Sequence, residues 1–263
     1  MTLLLLHSAG ATTALWDRVL EHLDGIPAFA WPLPGRAGAA WPDNERERDV
    51  AAYARAIMAR MDGEGIERAT IAGHSLGGAV ALQMALAHSD RVAGLGLSCT
   101  GARLRVLPHV LEGFADGVRD VIDFWINVQC GPATGDRERI VMRRMLESAG
   151  MEQTWCDLRA CDGFDVMDRL PEIGVRTQVF GGGHDVVTPP KYARYLAERI
   201  SGARLTIFPG AGHTAPLEHP EEMAGDLAVL WAATAPPVDA SGRRRPSSAL
   251  RPPATGRSDR SGC

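Results

Sequence analysis

The sequence predicts an α/β fold with three layers (α/β/α). Helices cover both faces of a mostly parallel sheet of about six strands, and a helical cap lies over one edge. Short apolar runs alternate along the chain with longer stretches of helical periodicity, which is typical of a parallel sheet covered by helices. The apolar runs are continuous rather than alternating with polar residues, as expected for strands that are buried on both faces.

Six apolar runs are candidate strands. Each is four to seven residues long, and in chain order they cover residues 2–6, 27–31, 69–72, 92–98, 177–180 and 205–208. Connections between parallel neighbours require a crossover, so each gap between runs should hold at least one helix.

Candidate helices occupy the gaps between these runs. They cover residues 15–23, 50–61, 79–87, 192–200 and 216–231. In the second of them, Tyr53, Ile57 and Met61 recur at helical spacing. The interval 105–170 shows helical periodicity without an obvious strand and is rich in aromatic residues, so we expect a helical cap inserted between two strands.

Bulk composition excludes several classes of protein. The 263 residues are 45% hydrophobic and 23% charged, as in ordinary globular proteins. A formal net charge of −4 argues against a nucleic-acid partner, and no apolar run is long enough to span a membrane. Five cysteines are too few, and odd in number, for a disulfide framework. With no recognisable signal peptide, a cytoplasmic location is the expectation.

The chain divides into two parts of unequal size. Residues 1–234 carry all the candidate elements and form the predicted catalytic domain. Residues 235–263 hold five prolines, five serines and six arginines with no periodicity, so a disordered tail is predicted there. The tail is basic while the rest of the chain is acidic.

The strongest local motif is Gly73-His74-Ser75-Leu76-Gly77, between a predicted strand and a predicted helix. A serine on a sharp strand-to-helix turn projects its hydroxyl above the sheet, and the glycines leave room for the turn. The start of the helix adds free backbone N–H groups that could stabilise an oxyanion. Ser75 is therefore a candidate nucleophile.

A serine nucleophile needs a base, and the base needs an acid that orients it. Asp185 and His213 each follow a predicted strand in a glycine-rich loop, where parallel sheets place their sites. The order Ser75, Asp185, His213 is nucleophile, acid and base. Asp162 and Asp165, in the cap, are weaker alternatives for the acid.

These motifs together resemble the α/β-hydrolase fold family. The resemblance also rests on Leu6-His7-Ser8-Ala9-Gly10, on Pro32-Leu33-Pro34-Gly35-Arg36, on Asp185-Val186-Val187-Thr188-Pro189 and on Glu218-His219-Pro220. It implies that Ser75, Asp185 and His213 form a catalytic triad. It also implies that the backbone N–H groups of Ala9 and Leu76 form the oxyanion hole.

Three features depart from the family pattern. Ser8 stands where the family usually has glycine, and Arg36-Ala37-Gly38 stands where it usually has His-Gly after Pro-Gly. Most members also carry two further strands before the one that ends at His7. Two alternatives remain open: the sheet is a minimal version with six strands, or the given sequence starts later than the protein does.

The predicted activity is hydrolysis of a small, largely apolar carboxylic ester through an acyl-enzyme on Ser75. Phe114, Trp125 and Trp155 of the cap are candidate substrate contacts, and no metal or organic cofactor is implied. Alternatives on the same triad are a carbon–carbon hydrolase, a lactonase, a thioesterase or a biosynthetic cyclase. A ligand-binding protein that retains the hydrolase fold without catalysis is the alternative from another class.

Overall fold

The computed structural model describes residues 1–36, 39–41 and 48–235. Six strands form one sheet: β1 (Thr2–Leu6), β2 (Ala28–Trp31), β3 (Ala69–His74), β4 (Val92–Ser98), β5 (Arg176–Gly182) and β6 (Arg204–Phe208). All five pairings are parallel, in the order β2-β1-β3-β4-β5-β6. The predicted fold class and strand positions are confirmed. Almost all of the predicted tail, and Ala37-Gly38, lie outside the described residues.

The centre of the sheet is the most deeply buried part of the molecule. Every residue of β3 and β4 is buried, whereas the two edge strands β2 and β6 are partly exposed. The expected burial on both faces therefore holds for the central strands β3 and β4, but it fails at the edge strands β2 and β6, which also carry apolar runs.

Helices from the gaps between strands form the two outer layers. They are α1 (Asp17–Leu20), α2 (Val50–Gly63), α3 (Leu76–Ala87), α8 (Pro190–Arg199), α9 (Ala215–Glu218) and α10 (Pro220–Thr234). Four more, α4 (Pro108–Ala115), α5 (Asp120–Gln129), α6 (Asp136–Ala149) and α7 (Met151–Asp162), lie between β4 and β5, where the cap was predicted. No helix in the described part is long and apolar enough to cross a membrane.

Two predicted helices differ from the observed ones. The predicted helix 15–23 begins inside a 3-10 turn (Thr13–Trp16), continues through the single α-turn of α1 and ends in tighter i→i−3 hydrogen bonds. The stretch 216–231 is two helices, α9 and α10, which break at His219. The break follows from Pro220, because a proline disfavours helical geometry in the residue before it and opens a new helix readily.

The order of the strands reverses at β1. The chain passes from β1 outward to β2 and then returns to β3 on the other side of β1. In open parallel sheets, this reversal leaves a crevice beyond the carboxyl ends of the two strands, and ligands bind there. Ser8 and Ala9 follow β1 and Ser75 follows β3, so all three lie at that crevice.

Candidate active site

Ser75 occupies a strained turn between β3 and α3. Its backbone has φ 52° and ψ −112°, a conformation that costs a non-glycine residue about 1–3 kcal/mol. A Cβ on Gly73 would lie 2.1 Å from the Gly77 carbonyl oxygen, and one on Gly77 would lie 2.3 Å from that of Leu6. The two glycines of the motif are therefore required by close backbone approach, as the sequence predicted.

Hydrogen bonds from the neighbouring strand hold this turn in place. The Ser75 N–H donates to the Ser98 carbonyl oxygen at 2.9 Å, and the Thr100 hydroxyl donates to the Ser75 carbonyl oxygen at 2.8 Å. Between them, Cys99 also has a positive φ of 43°, and its N–H donates to Phe180 on β5. The strain of the turn is thus stabilised by the ends of β4 and β5.

Asp185, after β5, and His213, after β6, are joined by a hydrogen bond. Their Oδ2 and Nδ1 atoms are 2.9 Å apart, and both side chains are almost fully buried. Asp185 Oδ1 accepts the N–H groups of Val187 and Thr188 at 2.8 Å each, and Oδ2 also accepts the Thr188 hydroxyl. Burial raises the pKa of Asp185, but the His213 ring and these donors outweigh it and hold that pKa below its usual value.

This arrangement determines the tautomer of His213. An ionised carboxylate is acceptor only, so His213 carries its proton on Nδ1 and its Nε2 is free to accept one. The backbone N–H of His213 donates to the Gln129 carbonyl oxygen at 2.7 Å, which connects His213 to the end of helix α5. Asp162 and Asp165 are engaged elsewhere, with the Val106 N–H and with Arg103.

A small pocket of about 200 Å³ joins Ser75 and His213. Its wall also contains Ser8 and Ala9 from the loop after β1, so the loop predicted to supply an oxyanion donor lies beside Ser75. Leu76 is the first residue of α3, and its N–H is one of those that a helix leaves without an internal acceptor. The remaining lining residues are mainly apolar: Leu104, Arg105, Val106, Leu107, Trp125, Val128, Gln129, Leu158, Cys161, Val186, Val187, Thr188 and Tyr192.

Of the three aromatic side chains predicted to contact substrate, Trp125 lines this pocket. Phe114 is buried in the cap, 2% exposed, because the apolar face of α4 turns it into the core. Trp155 lines a separate groove of about 880 Å³ and stacks on the Arg159 guanidinium. The structure therefore corrects the placement of Phe114 and Trp155, which lie outside the pocket wall.

Two further histidines, His7 and His74, lie near the site and are fully buried. Burial, aided by the positive charge of Arg36, lowers the pKa of His7 to about 3, and burial beside His213 lowers that of His74 to about 3. His74 Nε2 lies within hydrogen-bond distance of the His213 carbonyl oxygen, and its ring packs 4.9 Å from the His213 ring. Both histidines are therefore neutral, structural neighbours of His213.

One cluster of potential metal ligands occurs among the described residues. His74, Cys99 and His213 bring ligand atoms within 4.8 Å of one another. His213 Nδ1 is bonded to Asp185, and His74 Nε2 is bonded to the His213 carbonyl oxygen. The hydrogen bonds of the site thus account for how these histidines are placed.

The sequence did not predict a role at the site for Thr188, Gln129 or Tyr192. Thr188 could have been recognised, because it follows Asp185 closely enough for its hydroxyl to reach the carboxylate. Gln129 and Tyr192 carried no comparable signal, since only packing of the cap and of α8 against the sheet brings them to the pocket.

Residues 3–227 match the profile of the Alpha/beta hydrolase family. The chain belongs to that family. A curated relative, the pimeloyl-[acyl-carrier protein] methyl ester esterase of Neisseria meningitidis serogroup B, is 32% identical over 237 residues, which are 84% of this chain and 88% of the relative. The 2-hydroxy-6-oxo-6-phenylhexa-2,4-dienoate hydrolase of Burkholderia cepacia is 26% identical and covers 82% of each chain.

Two solved structures are similar to this hydrolase. A thermophilic esterase superimposes with a TM-score of 0.76 at 30% identity, covering 88% of this chain and 90% of its own. The enol-lactonase of Burkholderia xenovorans LB400 has a TM-score of 0.80 at 22% identity over 88% of this chain and 91% of its own. At that lower identity, the likeness shows the fold alone.

Proposed function

We propose that this hydrolase cleaves carboxylic esters through an acyl-enzyme on Ser75. The carrying observation is the buried Asp185–His213 hydrogen bond at the edge of a pocket that Ser75 also lines. Neither a serine in a strained turn nor a buried histidine would support this reaction alone, because an unassisted hydroxyl is a weak nucleophile.

Each proposed role follows from the position of the group. His213 Nε2 takes the proton of the Ser75 hydroxyl as Oγ attacks the ester carbonyl carbon, and the C=O electron pair moves onto the oxygen. The amides of Ala9 and Leu76 stabilise that oxyanion, and loss of one such donor typically slows the reaction by about 10²–10³. His213 then protonates the departing alcohol, and water releases the acyl group by the same steps in reverse order.

The size of the pocket supports a small group at the reacting centre. Its volume of about 200 Å³ lies below the ~300 Å³ at which pockets for drug-sized ligands begin. Leu107 and Val186 on its wall are more than half exposed, so one end of the pocket reaches solvent. A compact acyl or alcohol group would fit inside while the rest of a longer substrate extends outward.

The names of the relatives indicate which substrates should be assayed first. Several are called pimeloyl-[acyl-carrier protein] methyl ester esterases, and the thermophilic neighbour is an esterase. A methyl ester places the smallest possible alcohol at the reacting centre, which is compatible with the narrow pocket. We therefore expect methyl esters of straight-chain acids to be turned over.

Replacement of Ser75 tests the reaction. Ser75→Ala should lower kcat/KM for p-nitrophenyl acetate by at least 10³-fold, whereas Ser148→Ala, an exposed serine on α6, should leave it unchanged. A fluorophosphonate should label the wild-type protein at Ser75 and fail to label Ser75→Ala. Undiminished turnover in Ser75→Ala would exclude this nucleophile.

A second candidate, carbon–carbon bond hydrolysis, is favoured by the relative from Burkholderia cepacia. Parallel assays of methyl esters, thioesters, lactones and a vinylogous diketone separate the candidates. We expect the highest kcat/KM with esters. A vinylogous diketone cleaved faster than every ester would favour the carbon–carbon reaction instead.

A further inference from the structure

A fully buried carboxylate in the cap has no part in the triad. Asp157, on α7, is 0% exposed and accepts five hydrogen bonds. The donors are two guanidinium nitrogens of Arg36, the Tyr53 hydroxyl, the Gln153 amide at 2.9 Å and the backbone N–H of Gly10 at 2.9 Å.

These donors come from separate parts of the chain. Arg36 lies in the loop after β2, Tyr53 on α2, and Gly10 in the loop after β1. Burial raises the pKa of Asp157, but the charge of Arg36 and the hydrogen bonds outweigh it, so the carboxylate stays ionised. A buried ion pair of this kind is weak evidence for stability, since desolvation offsets most of its attraction.

The geometry of the loop after β1 suggests what the cluster does. Gly10 donates to Asp157 Oδ2, and the carbonyl oxygen of the next residue, Ala11, accepts the Arg36 Nε–H at 3.1 Å. Gly10 has φ +64°, and a Cβ there would lie 2.6 Å from Leu146 in the cap. The loop therefore packs so closely against the cap that position 10 favours glycine.

The two peptide planes around Ala9 are both fixed by hydrogen bonds. The Ser8 carbonyl oxygen accepts His7 Nδ1–H at 2.9 Å and the Ala11 N–H at 3.2 Å. In a trans peptide the C=O and the next N–H point in opposite directions, so these bonds aim the Ala9 N–H. The plane that follows Ala9 contains the Gly10 N–H, which is the group bound by Asp157.

We propose that Asp157, paired with Arg36, is a positioning residue that holds the Ala9 amide in place for the oxyanion, so that the cap helps to build the oxyanion hole. This inference rests on the proposed function, because it assigns a role in the same reaction. The pairing with Asp157 also explains why position 36, where the family usually has histidine, holds an arginine: the guanidinium binds both carboxylate oxygens. Arg36 neutralises the carboxylate, which would otherwise repel a nearby oxyanion.

The first test is Asp157→Asn, which keeps the shape and removes the charge. We expect kcat for p-nitrophenyl acetate to fall about 10–100-fold while KM stays within about threefold, because the amide acts mainly on the transition state. The affinity for a trifluoromethyl ketone, which forms an oxyanion on Ser75, should fall by the same factor as kcat/KM. Asp123→Asn removes an exposed cap ion pair with Arg143 and should change none of these values.

A second set of variants separates positioning from folding. Arg36→Met/Asp157→Leu removes both charges together, which buried pairs often tolerate without loss of stability. We expect this double variant to unfold cooperatively at a lower denaturant concentration than the wild type, because the Gly10 N–H, the Tyr53 hydroxyl and the Gln153 amide lose their acceptor, but to be folded under assay conditions and to retain the low kcat. Arg36→Lys keeps the charge but loses the fork and the bond to Ala11, and should lower kcat about 3–10-fold.

The outcomes distinguish this inference from the proposed function. If the wild type neither hydrolyses esters nor reacts with a fluorophosphonate, the proposed function fails. If the wild type is active and the Asp157 variants keep kcat and inhibitor affinity within about threefold, the positioning role is overturned. A double variant with wild-type kcat beside a slow Asp157→Asn would also overturn it, because the loss would then come from an unpaired charge.

Discussion

Replacing Asp185 with asparagine should disable His213, the proposed base, without disturbing the fold around it. Four donors reach this carboxylate, two on each oxygen. The two on Oδ1 are backbone N–H groups, which cannot turn to become acceptors. The asparagine oxygen will therefore occupy the Oδ1 position, and its NH₂ group will face the Thr188 hydroxyl and His213 Nδ1.

Both groups facing the new NH₂ can adapt, and the adaptation of His213 is the damaging one. The Thr188 hydroxyl can rotate to accept a hydrogen bond. His213 can accept one on Nδ1 only by moving its proton to Nε2, the nitrogen that must receive the Ser75 proton. The same tautomer change in serine proteases lowers kcat by about 10⁴, equivalent to roughly 5 kcal/mol of barrier.

The assay compares kcat and KM for p-nitrophenyl acetate in the wild type, Asp185→Asn and Thr188→Val. We expect a loss of about 10³–10⁴-fold in kcat for Asp185→Asn, and less than about tenfold for Thr188→Val, which removes one of the four donors and leaves the tautomer unchanged. The low-field Nδ1 proton of His213 should be visible by NMR in the wild type and absent in Asp185→Asn. A folded Asp185→Asn protein with more than a tenth of wild-type kcat would refute the tautomer argument.

Three further predictions concern stability and the base. Gly77→Ala should lower the free energy of unfolding by about 3 kcal/mol or more, because its Cβ would lie 2.3 Å from a β1 carbonyl oxygen. Gly225→Ala on α10, with nothing within 4 Å, should be neutral or gain about 0.5–1 kcal/mol; equal urea midpoints for the two variants would contradict this. The pKa values of His7 and His74 are about 3 in the folded chain and about 6.5 in the unfolded chain. Both side chains are therefore mostly neutral in both states at pH 7. Below pH 6.5 the unfolded chain takes up protons that the folded chain does not. The free energy of unfolding should thus fall by roughly 5 kcal/mol between pH 6.5 and 4.5, and a flat urea-stability profile over that range would rule this out. Glu218→Gln should lower kcat about 3–10-fold with KM unchanged. The Glu218 carboxylate accepts the backbone N–H of Gly212, the residue before the proposed base, at 3.0 Å, and a neutral amide would hold this N–H less strongly. Steady-state kinetics that match the wild type would exclude this role.

The elements that the sequence predicted well are those with a local signal. The strands at 92–98 and 2–6 were placed without error, because buried parallel strands appear as continuous apolar runs. The turn at Ser75 was recognisable from two glycines whose absence of side chains is a local requirement. The helix at 216–231 was less accurate, since the effect of Pro220 on the residue before it was overlooked.

The candidate site was predictable only in part, for a related reason. Ser75, Asp185 and His213 each follow a strand of one parallel sheet, and the fold class alone brings such positions to one edge. Helical periodicity in the cap shows that a residue faces inward, but it does not show what lies opposite. Phe114 and Trp125 carry the same pattern, yet one packs into the cap core and the other reaches the pocket.

The sequence by itself determined the fold class, the order of strands along the chain, and the identity of the three candidate catalytic residues. Only the tertiary structure decided that Asp157 meets Gly10 and Arg36, and that Gln129 binds the backbone of His213. The physical reason is that strand, helix and turn preferences act between residues a few positions apart. Contacts between the cap and the loops after β1 and β6 depend instead on how the helices pack across the sheet, which no local pattern encodes.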